Sequence, residues 1–433
     1  MKGSMCSLFV VGALAHHAFA QPAPAPTPTP DDLSKAADAA AEIAAVPAAP
    51  LKTSSDDIDL SSMGLDPAGS AFDDKLNVYG YADIAYRGSH AYRHTDIFPD
   101  QHGFAFGNLN IYAAKNLTPK ARALAEVQYT FLPNGTAGAG GTTIDTTVAD
   151  PANDQIPTKW GGVVIQRAYL EYDVTEYLTI RAGHWLTPYG IWNTDHGSPV
   201  IITVSRPYII DAGLFPEHQT GLDLFGSRHV SDFKLSYHVT VSNGRSETEA
   251  QIDRDNKLAF GGRLEAETSW GLRIGGSYYR GRYTGLAAMP GAAPHSYREE
   301  SYGGDAQFDH DGLHVQGEVA TRRRHYTSVM DAGVDTGGTA TTTDISDTGF
   351  YILGGYRFNL LWNVMPFSYY QYYKASNESI FSSVNVEALG LNFRPTGSMV
   401  FKLQVQRGKL ADGVGFVAGT IQYTYLTQAA WVF

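Results

Sequence analysis

Residues 415–433 read GFVAGTIQYTYLTQAAWVF, and this closing stretch decides the fold class of the chain. Most of its apolar and aromatic residues stand at odd positions and its polar ones at even positions: Val417, Ile421, Tyr423, Tyr425 and Trp431 against Thr420, Gln422, Thr424 and Gln428. Successive side chains of a β-strand point to opposite faces, so one face is apolar and the other can contact water. The pattern predicts a strand that ends on Phe433 and pairs with the segment from Leu76 to Tyr86.

The joints between the predicted strands are sorted by length. The same alternation recurs from Leu76 onward, and long polar loops fall near 88–101, 132–159, 186–216, 243–256, 284–296, 325–344, 375–381 and 408–415. Tight turns lie between them at 116–119, 174–176, 228–231, 268–271, 309–312, 359–362 and 394–397. Eight loops and seven turns join sixteen strands and leave both termini on the short-turn side. A soluble sandwich has no reason to sort its connections, so the sequence predicts an all-β, antiparallel transmembrane barrel of about sixteen strands.

Bulk composition agrees with a barrel and excludes other classes. The mean hydropathy is −0.21, and no mature segment offers the ~20 apolar residues of a spanning helix. A barrel strand alternates lipid-facing and water-facing residues, so its average stays polar. The formal net charge of −12 argues against a nucleic-acid partner, which requires clustered Lys and Arg.

The N-terminal part is expected to serve export. Lys2, the apolar stretch 8–15 and the small-x-small site Ala18-Phe19-Ala20 predict a signal peptide over 1–20, which would also remove the single cysteine, Cys6. Residues 21–72 are rich in Pro and Ala and predict a periplasmic linker with a short helix near 31–46. The barrel is then expected over 73–433, in the outer membrane of a Gram-negative cell.

Aromatic residues near strand ends predict girdles at the lipid headgroups. They are Tyr79, Tyr81, Tyr86, Tyr129, Phe131, Trp185, Trp270, Trp362, Tyr369, Tyr370, Tyr372, Tyr373 and Trp431. The third loop, 186–216, is unusually apolar for an exposed segment, with Val200, Ile201, Ile202, Val204, Ile209, Ile210, Leu214 and Phe215. Such a loop should pack against the barrel interior and narrow the lumen.

Two motifs flank this loop. Residues 183–190 follow the pattern G-x-x-x-T-P-Y-G, and residues 220–226 follow T-G-x-x-L-x-G. Together with the long third loop they resemble the phosphate-selective porin superfamily, although the specific motifs span only 181–226. The resemblance implies a sixteen-stranded, typically trimeric outer-membrane channel whose inward third loop forms the constriction.

Strand alternation predicts a lumen of mixed charge. Inward cations would be Arg122, Arg167, Arg181, Lys234, Arg263, Arg273, Arg322, Arg324 and Lys402, facing Asp83, Glu126, Glu171, Asp223, Glu265, Glu267 and Glu318. Opposite-charge pairs between neighbouring strands would account for most of them. The third loop adds Arg206 among Asp195, His196, Asp211, Glu217 and His218. The predicted pore-lining set is therefore Arg122, Arg167, Arg181, Asp195, His196, Arg206, Asp211, Glu217, Asp223, Arg263, Arg273, Glu318 and Arg322.

The leading functional hypothesis is a passive porin for small hydrophilic solutes or ions, with no catalytic residue, metal or cofactor. A phosphate-selective channel requires a cationic constriction, and the mixed third loop departs from that pattern. Hypotheses of another class are an outer-membrane enzyme and a barrel that tethers the envelope through 21–72. Expected partners are outer-membrane lipid, lipopolysaccharide and two further copies of the chain. Arg322-Arg323-Arg324 lies at the predicted extracellular rim, where lipopolysaccharide contact competes with solvation.

Overall fold

The computed structural model describes the barrel and much of its third loop. The described residues are 75–92, 101–130, 162–194, 197–246, 256–284, 296–325, 334–335, 339–340, 344–360, 362–374, 383–411 and 419–433. The predicted signal peptide and linker, residues 1–72, lie outside them. No helix in the described part of the chain is long and apolar enough to span a membrane.

Sixteen antiparallel strands form one sheet within the described residues. They are β1 (Leu76–Tyr92), β2 (Gln101–Thr118), β3 (Ala121–Thr130), β4 (Gly162–Thr175), β5 (Leu178–Leu186), β6 (His218–Val230), β7 (Phe233–Ser242), β8 (Ala259–Thr268), β9 (Leu272–Thr284), β10 (Ser296–His310), β11 (Leu313–His325), β12 (Ile345–Tyr356), β13 (Met365–Lys374), β14 (Ser383–Thr396), β15 (Met399–Ala411) and β16 (Ile421–Val432). The third loop contains a short helix, α1 (Tyr208–Asp211), and further two-residue strands lie at Arg245–Ser246, Val334–Asp335 and Thr339–Ala340.

The last strand closes the sheet on the first. β16 pairs with β1 in a continuous register from Tyr81 opposite Val432 to Tyr92 opposite Ile421. Beyond it, the Gly80 amide donates to the Phe433 carbonyl at 2.8 Å, and the Phe433 amide donates to the Gly80 carbonyl at 2.9 Å. The predicted pairing of the closing strand is confirmed. Since each strand has a neighbour on both sides, the sheet has no open edge to expose unpaired backbone groups.

The predicted sorting of connections is confirmed as well. Tight turns follow β2, β4, β6, β8, β10 and β14, a longer turn of residues 357–364 follows β12, and the remaining connections are the eight loops. Both ends of the described barrel lie on the tight-turn side. In the turn after β10, Asp311 and Gly312 have φ of 47° and 85°, the left-handed conformation that a two-residue Asp-Gly hairpin turn requires.

Burial alternates along the strands as the sequence indicates. In β7 the side chains of Phe233, Leu235 and Val239 point outward, and about half of each is exposed. His238 and Thr240 lie between them on the inner face and are buried. The outer face is therefore apolar and the inner face polar. This arrangement suits a barrel with lipid outside and a water-filled lumen inside.

Five of the girdle predictions are wrong. Tyr79, Tyr81, Trp185, Tyr369 and Tyr373 lie on the inner face and do not face lipid; Tyr79 stacks on the buried Tyr112, and the other four are themselves buried. Strand parity puts them inside. Trp185 packs against inward side chains of β3 and β4, and the two tyrosines of β13 pack against the third loop. Trp270 and Trp362, in contrast, are more than half exposed next to tight turns.

Candidate functional site

The third loop, residues 187–217, is closed at its base by hydrogen bonds. The Thr187 amide donates to the Glu217 carbonyl at 2.9 Å, and the Thr187 hydroxyl donates to the Pro216 carbonyl at 2.5 Å. Asn193 donates through Nδ2 to the carbonyls of Thr187 at 2.9 Å and Glu217 at 3.2 Å. These hydrogen bonds join the two ends of the loop in a stem formed by Thr187, Asn193, Pro216 and Glu217. The rest of the loop extends from this stem.

Glycines of the two flanking motifs allow close packing below this stem. Gly183 and Gly221 stand opposite each other on β5 and β6, with φ of 141° and 154°. A Cβ at Gly183 would lie 2.3 Å from the Ala168 carbonyl oxygen, and one at Gly221 would lie 2.2 Å from that of Val241. These positions require glycine because both the backbone conformation and the neighbouring strand exclude a side chain.

The apolar residues of the loop pack against inward side chains of strands far from its stem. Trp192, Ile209 and Leu214 form one buried cluster with residues of β11, β12, β13 and β14, which are Ala320, Tyr351, Leu353, Tyr369, Tyr373 and Ala388. Trp192 meets Tyr351 edge to face, with ring centroids 6.0 Å apart. The predicted packing of the apolar loop against the inner wall is thus present in the described residues.

Two cations hold the far side of the loop by its backbone. Lys402, on β15, is fully buried, and its Nζ donates to the carbonyls of Ser198 at 2.7 Å and Thr203 at 3.0 Å. Arg394, at the end of β14, donates to the Pro199 carbonyl at 2.7 Å. Sequence reasoning placed Lys402 in the lumen but assigned Arg394 only to a turn. Neither assignment predicted a contact with the loop.

Further hydrogen bonds tie the loop to the strands between. The Trp192 amide donates to Glu318 Oε1 at 2.7 Å, and the same oxygen accepts the Tyr351 hydroxyl at 2.6 Å. The Tyr208 amide, at the start of α1, donates to Gln371 Oε1 at 2.7 Å. Glu318, predicted as a pore-lining carboxylate, is therefore occupied in holding the loop.

Replacing Lys402 with methionine is expected to loosen the loop, because the carbonyls of Ser198 and Thr203 then lose their buried donor. An unsatisfied buried polar group costs about 1–3 kcal/mol, so the loop should detach roughly 10-fold more often. The measurement is the rate of tryptic cleavage after Arg206 in detergent-solubilised, folded protein. Lys409→Met, an outward-facing change on the same strand, is the control. Equal cleavage of Lys402→Met and wild type would contradict the assigned role.

Most of the predicted pore-lining cations contact carboxylates. The shortest buried contacts join Arg263 to Asp305 at 2.5 Å, Arg167 to Glu126 at 2.6 Å and Arg181 to Glu171 at 2.7 Å. Further pairs are Arg122 with Glu171 and Asp173, Arg181 with Asp223, Arg263 and Arg273 with Glu265, and Arg322 with Asp347. Cross-strand pairing was expected for these residues. Asp305 and Asp347 were missed, although their positions in the alternation would have indicated them.

Three charged residues of the third loop remain accessible. The side chains of Arg206, Asp211 and Glu217 are 38%, 53% and 33% exposed. Arg206 Nη2 lies 3.0 Å from Glu217 Oε1, and its Nε lies 3.5 Å from Asp211 Oδ1. Partial burial of the Asp211 carboxyl raises its pKa. The positive charge of Arg206 lowers that pKa, and the negative charge of Glu217 raises it further. Asp195 and His196, also predicted here, lie outside the described residues.

A solvent-open cleft of about 560 Å³ lies beside the stem of the loop. Its lining combines the start of the loop with the inner faces of β7, β8 and β9, including Ile191, Lys234, His238, Arg263, Glu265, Glu267 and Arg273. The loop thus packs on the aromatic wall of β11 to β14, whereas the wall that lines the cleft, on β7 to β9, is charged and polar. Water and small polar solutes interact more favourably with the charged wall of β7 to β9 than with the aromatic wall of β11 to β14.

Known structures have the same architecture. The anion-selective porin from Comamonas acidovorans matches with a TM-score of 0.53 at 10% identity, over 83% of this chain and 99% of that one. Salmonella typhi OmpF, in complex with daunomycin, gives 0.52 at 12% identity over 83% and 98%. The trimer form of Vibrio cholerae OmpT gives 0.50 at 8% identity over 82% and 99%. The chain shares their barrel fold. At such identities the likeness concerns the fold alone.

Sequence comparison reaches less far. No protein-family model matches the chain. An uncharacterised protein of Aquifex aeolicus is 27% identical over 136 residues, which are 28% of this chain and 30% of that protein. The match therefore spans less than a third of either protein, and it carries no statement about activity.

Proposed function

We propose that the protein is an outer-membrane porin through which small hydrophilic solutes and ions diffuse passively. The proposal is supported by the position of the third loop inside the barrel. It leaves the wall between β5 and β6 and is hydrogen-bonded to inward side chains as far away as Gln371, Asn392 and Gln404 on β13, β14 and β15. Barrels of sixteen strands enclose an aqueous channel. A loop laid across that channel narrows it without plugging it.

The lumen charges support broad and weak selectivity. A phosphate-selective pore needs several cationic donors free to replace the hydration of the anion. Here Arg122, Arg167, Arg181, Arg263 and Arg322 each have a carboxylate partner. The accessible third-loop cluster of Arg206, Asp211 and Glu217 carries one positive and two negative charges. We therefore favour slight cation preference over the phosphate-selective alternative, in contrast with the anion-selective porin from Comamonas acidovorans.

The proposal includes the cellular setting that the sequence predicts. Residues 1–20 direct export, 21–72 lie in the periplasm, and the barrel is inserted in the outer membrane of a Gram-negative cell. The proposed assembly is a homotrimer. Vibrio cholerae OmpT, whose barrel is similar, has a trimer form. The proposal involves no catalytic step and no cofactor. No observation on the described residues favours the enzyme or the envelope tether.

Planar-bilayer recording tests the proposal. Folded protein is expected to give discrete ion-conducting steps, and a KCl gradient should give a reversal potential that corresponds to a modest excess of K⁺ over Cl⁻ permeability. Detergent buffer alone is the control. Folded protein that gives no steps would exclude the porin function. A strong anion preference, increased when phosphate replaces chloride, would favour the phosphate-selective alternative.

A further inference from the structure

A row of three charges crosses the cleft beside the loop stem, at the tight-turn end of the barrel. Lys234 is the second residue of β7, Glu267 the last but one of β8 and Arg273 the second of β9. In the strand register, Glu267 stands opposite Lys234 on one side and opposite Arg273 on the other. All three side chains line the cleft. The order across the wall is therefore cation, anion, cation, and these three residues are called the cleft row below.

The charges of the cleft row are loosely paired and accessible. Lys234 Nζ lies 3.5 Å from Glu267 Oε2, at the outer limit of a hydrogen bond, and the two side chains are 39% and 44% exposed. Arg273 is 29% exposed, and its Nε lies 4.0 Å from Glu265 Oε2, beyond hydrogen-bond distance. The shortest buried pairs of the lumen, in contrast, are separated by 2.5 to 2.7 Å. The cleft row thus keeps charge that a solute can contact.

The side chains behind the cleft row balance its charge. Arg263 is held between Asp305 at 2.5 Å and Glu265 at 2.8 Å, and it is only 6% exposed. These three side chains carry one net negative charge, and the cleft row carries one net positive charge. Because the two groups cancel, net charge does not favour a simple anion or a simple cation in the cleft.

The spacing of the cleft row suits a solute that carries both charges. Neighbouring strands lie about 4.8 Å apart, so a carboxylate beside Lys234 and an ammonium beside Glu267 can belong to one small molecule. A simple anion beside Lys234 also meets the Glu267 carboxylate, and a simple cation beside Glu267 meets the cations on both sides. Like charges this close repel each other. A solute with both groups gains at both positions.

We propose that the cleft row binds zwitterionic solutes, namely amino acids and short peptides whose ammonium and carboxylate groups are several bonds apart. The carboxylate contacts Lys234 or Arg273, and the ammonium contacts Glu267. The cleft volume of about 560 Å³ lies in the range of small-molecule sites. The inference rests on the proposed porin function for the route by which the solute arrives, and it adds a substrate class to that function.

The test measures binding directly, by saturation-transfer difference NMR on full-length protein folded in neutral detergent. The probe is γ-aminobutyrate. Its comparison compounds are butyrate, which lacks the ammonium, butylammonium, which lacks the carboxylate, and the neutral isomer 4-hydroxybutanamide. γ-Aminobutyrate is expected to bind about fivefold more tightly than either singly charged compound and about 25-fold more tightly than the neutral isomer, since one charge contact at about 4 Å in water is worth about fivefold.

Substitutions in the cleft row separate the two charges. Glu267→Gln should weaken γ-aminobutyrate binding about fivefold and strengthen butyrate binding, whereas Glu267→Asp keeps the carboxylate and should stay within about twofold of wild type. Lys234→Gln together with Glu267→Gln keeps the net charge and should lower affinity at least about fivefold. The matched control is Arg407→Gln with Glu387→Gln. That pair is also 3.5 Å apart, with side chains 40% and 61% exposed, but it faces outward as Leu389 does, so binding should not change.

The outcomes distinguish the site from the channel. Equal affinity for γ-aminobutyrate and butyrate would overturn the inference, because the cleft would then recognise an anion alone. Unchanged binding in the double variant of the cleft row, or an equal loss in the outer-face control, would overturn it as well. Planar-bilayer recording reports the porin function separately. Conductance steps without γ-aminobutyrate binding would remove the site and keep the porin, and binding without steps would keep the site and remove the porin. Heat-dependent gel mobility verifies that each variant is folded.

Discussion

Removal of residues 195–214, with a short glycine linker from Thr194 to Phe215, is expected to raise single-channel conductance at least about twofold, because a sixteen-stranded barrel without an inner loop leaves a wide aqueous channel. The stem makes this deletion feasible. Thr187, Asn193 and Glu217 already hold the two ends of the loop together and remain in the variant. The inner wall that becomes exposed includes Lys402, whose ammonium group can be solvated by lumen water.

The deletion needs a control for loop truncation in general. Shortening the connection between β3 and β4 by residues 138–157 removes a similar length of chain from a different loop, and its conductance should stay near the wild-type value. Both variants must keep heat-dependent gel mobility, which reports a closed barrel. Unchanged conductance in the third-loop deletion, with the barrel intact, would mean that residues 195–214 do not limit the pore.

The barrel could be predicted because its rules are local. The alternation of 415–433 required only the two-residue period of a strand, and the sorting of loops and turns followed from residues such as Asp311 and Gly312. Closure then followed from an even strand number and from the absence of a tolerable edge in lipid. None of these steps needs a knowledge of which side chains touch.

Alternation failed where both faces of a strand carry the same chemistry. β10 places Arg298 and Glu300 outside and Glu299 inside, so its charge pattern hides its period. β13 has aromatic residues on both faces, since Tyr369 packs on the third loop and Tyr370 faces outward. The misassignment of Tyr369 and Tyr373 as girdle residues has the same cause. An aromatic residue near a strand end indicates lipid only when its parity is known.

The candidate site was predictable in its charges and unpredictable in its contacts. Opposite charges at inward positions predicted pairs, but the partner of Arg263 on β8 depends on the register of β8 with β9 and of β9 with β10, which brings in Asp305. Lys402 and Arg394 donate hydrogen bonds to loop carbonyls that lie some 200 residues away in sequence. Any sequence supplies such carbonyls, so the sequence carries no signal for these contacts.

Charge reversal at Arg206 is expected to make the pore clearly cation-selective. Most other lumen arginines have buried carboxylate partners, whereas Arg206, Asp211 and Glu217 are exposed on the third loop. Arg206→Glu changes the cluster from one net negative charge to three. One charge at about 4 Å in water is worth about 1 kcal/mol, so the K⁺ to Cl⁻ permeability ratio should rise roughly fivefold or more at low salt. The effect should shrink above 0.1 M, where screening acts within about 10 Å.

The opposite substitutions and pH provide the internal checks. Asp211→Asn together with Glu217→Gln leaves Arg206 as the only charge of the cluster and should shift the reversal potential toward Cl⁻.

Because burial raises the pKa of Asp211, acidification should neutralise this carboxylate before an ordinary one and lower the wild-type K⁺ preference. The shift should be smaller in Asp211→Asn. Lys409→Glu makes the same charge change as Arg206→Glu on the outer face and should leave the reversal potential unchanged. If Arg206→Glu also leaves it unchanged, ions do not pass the third-loop cluster.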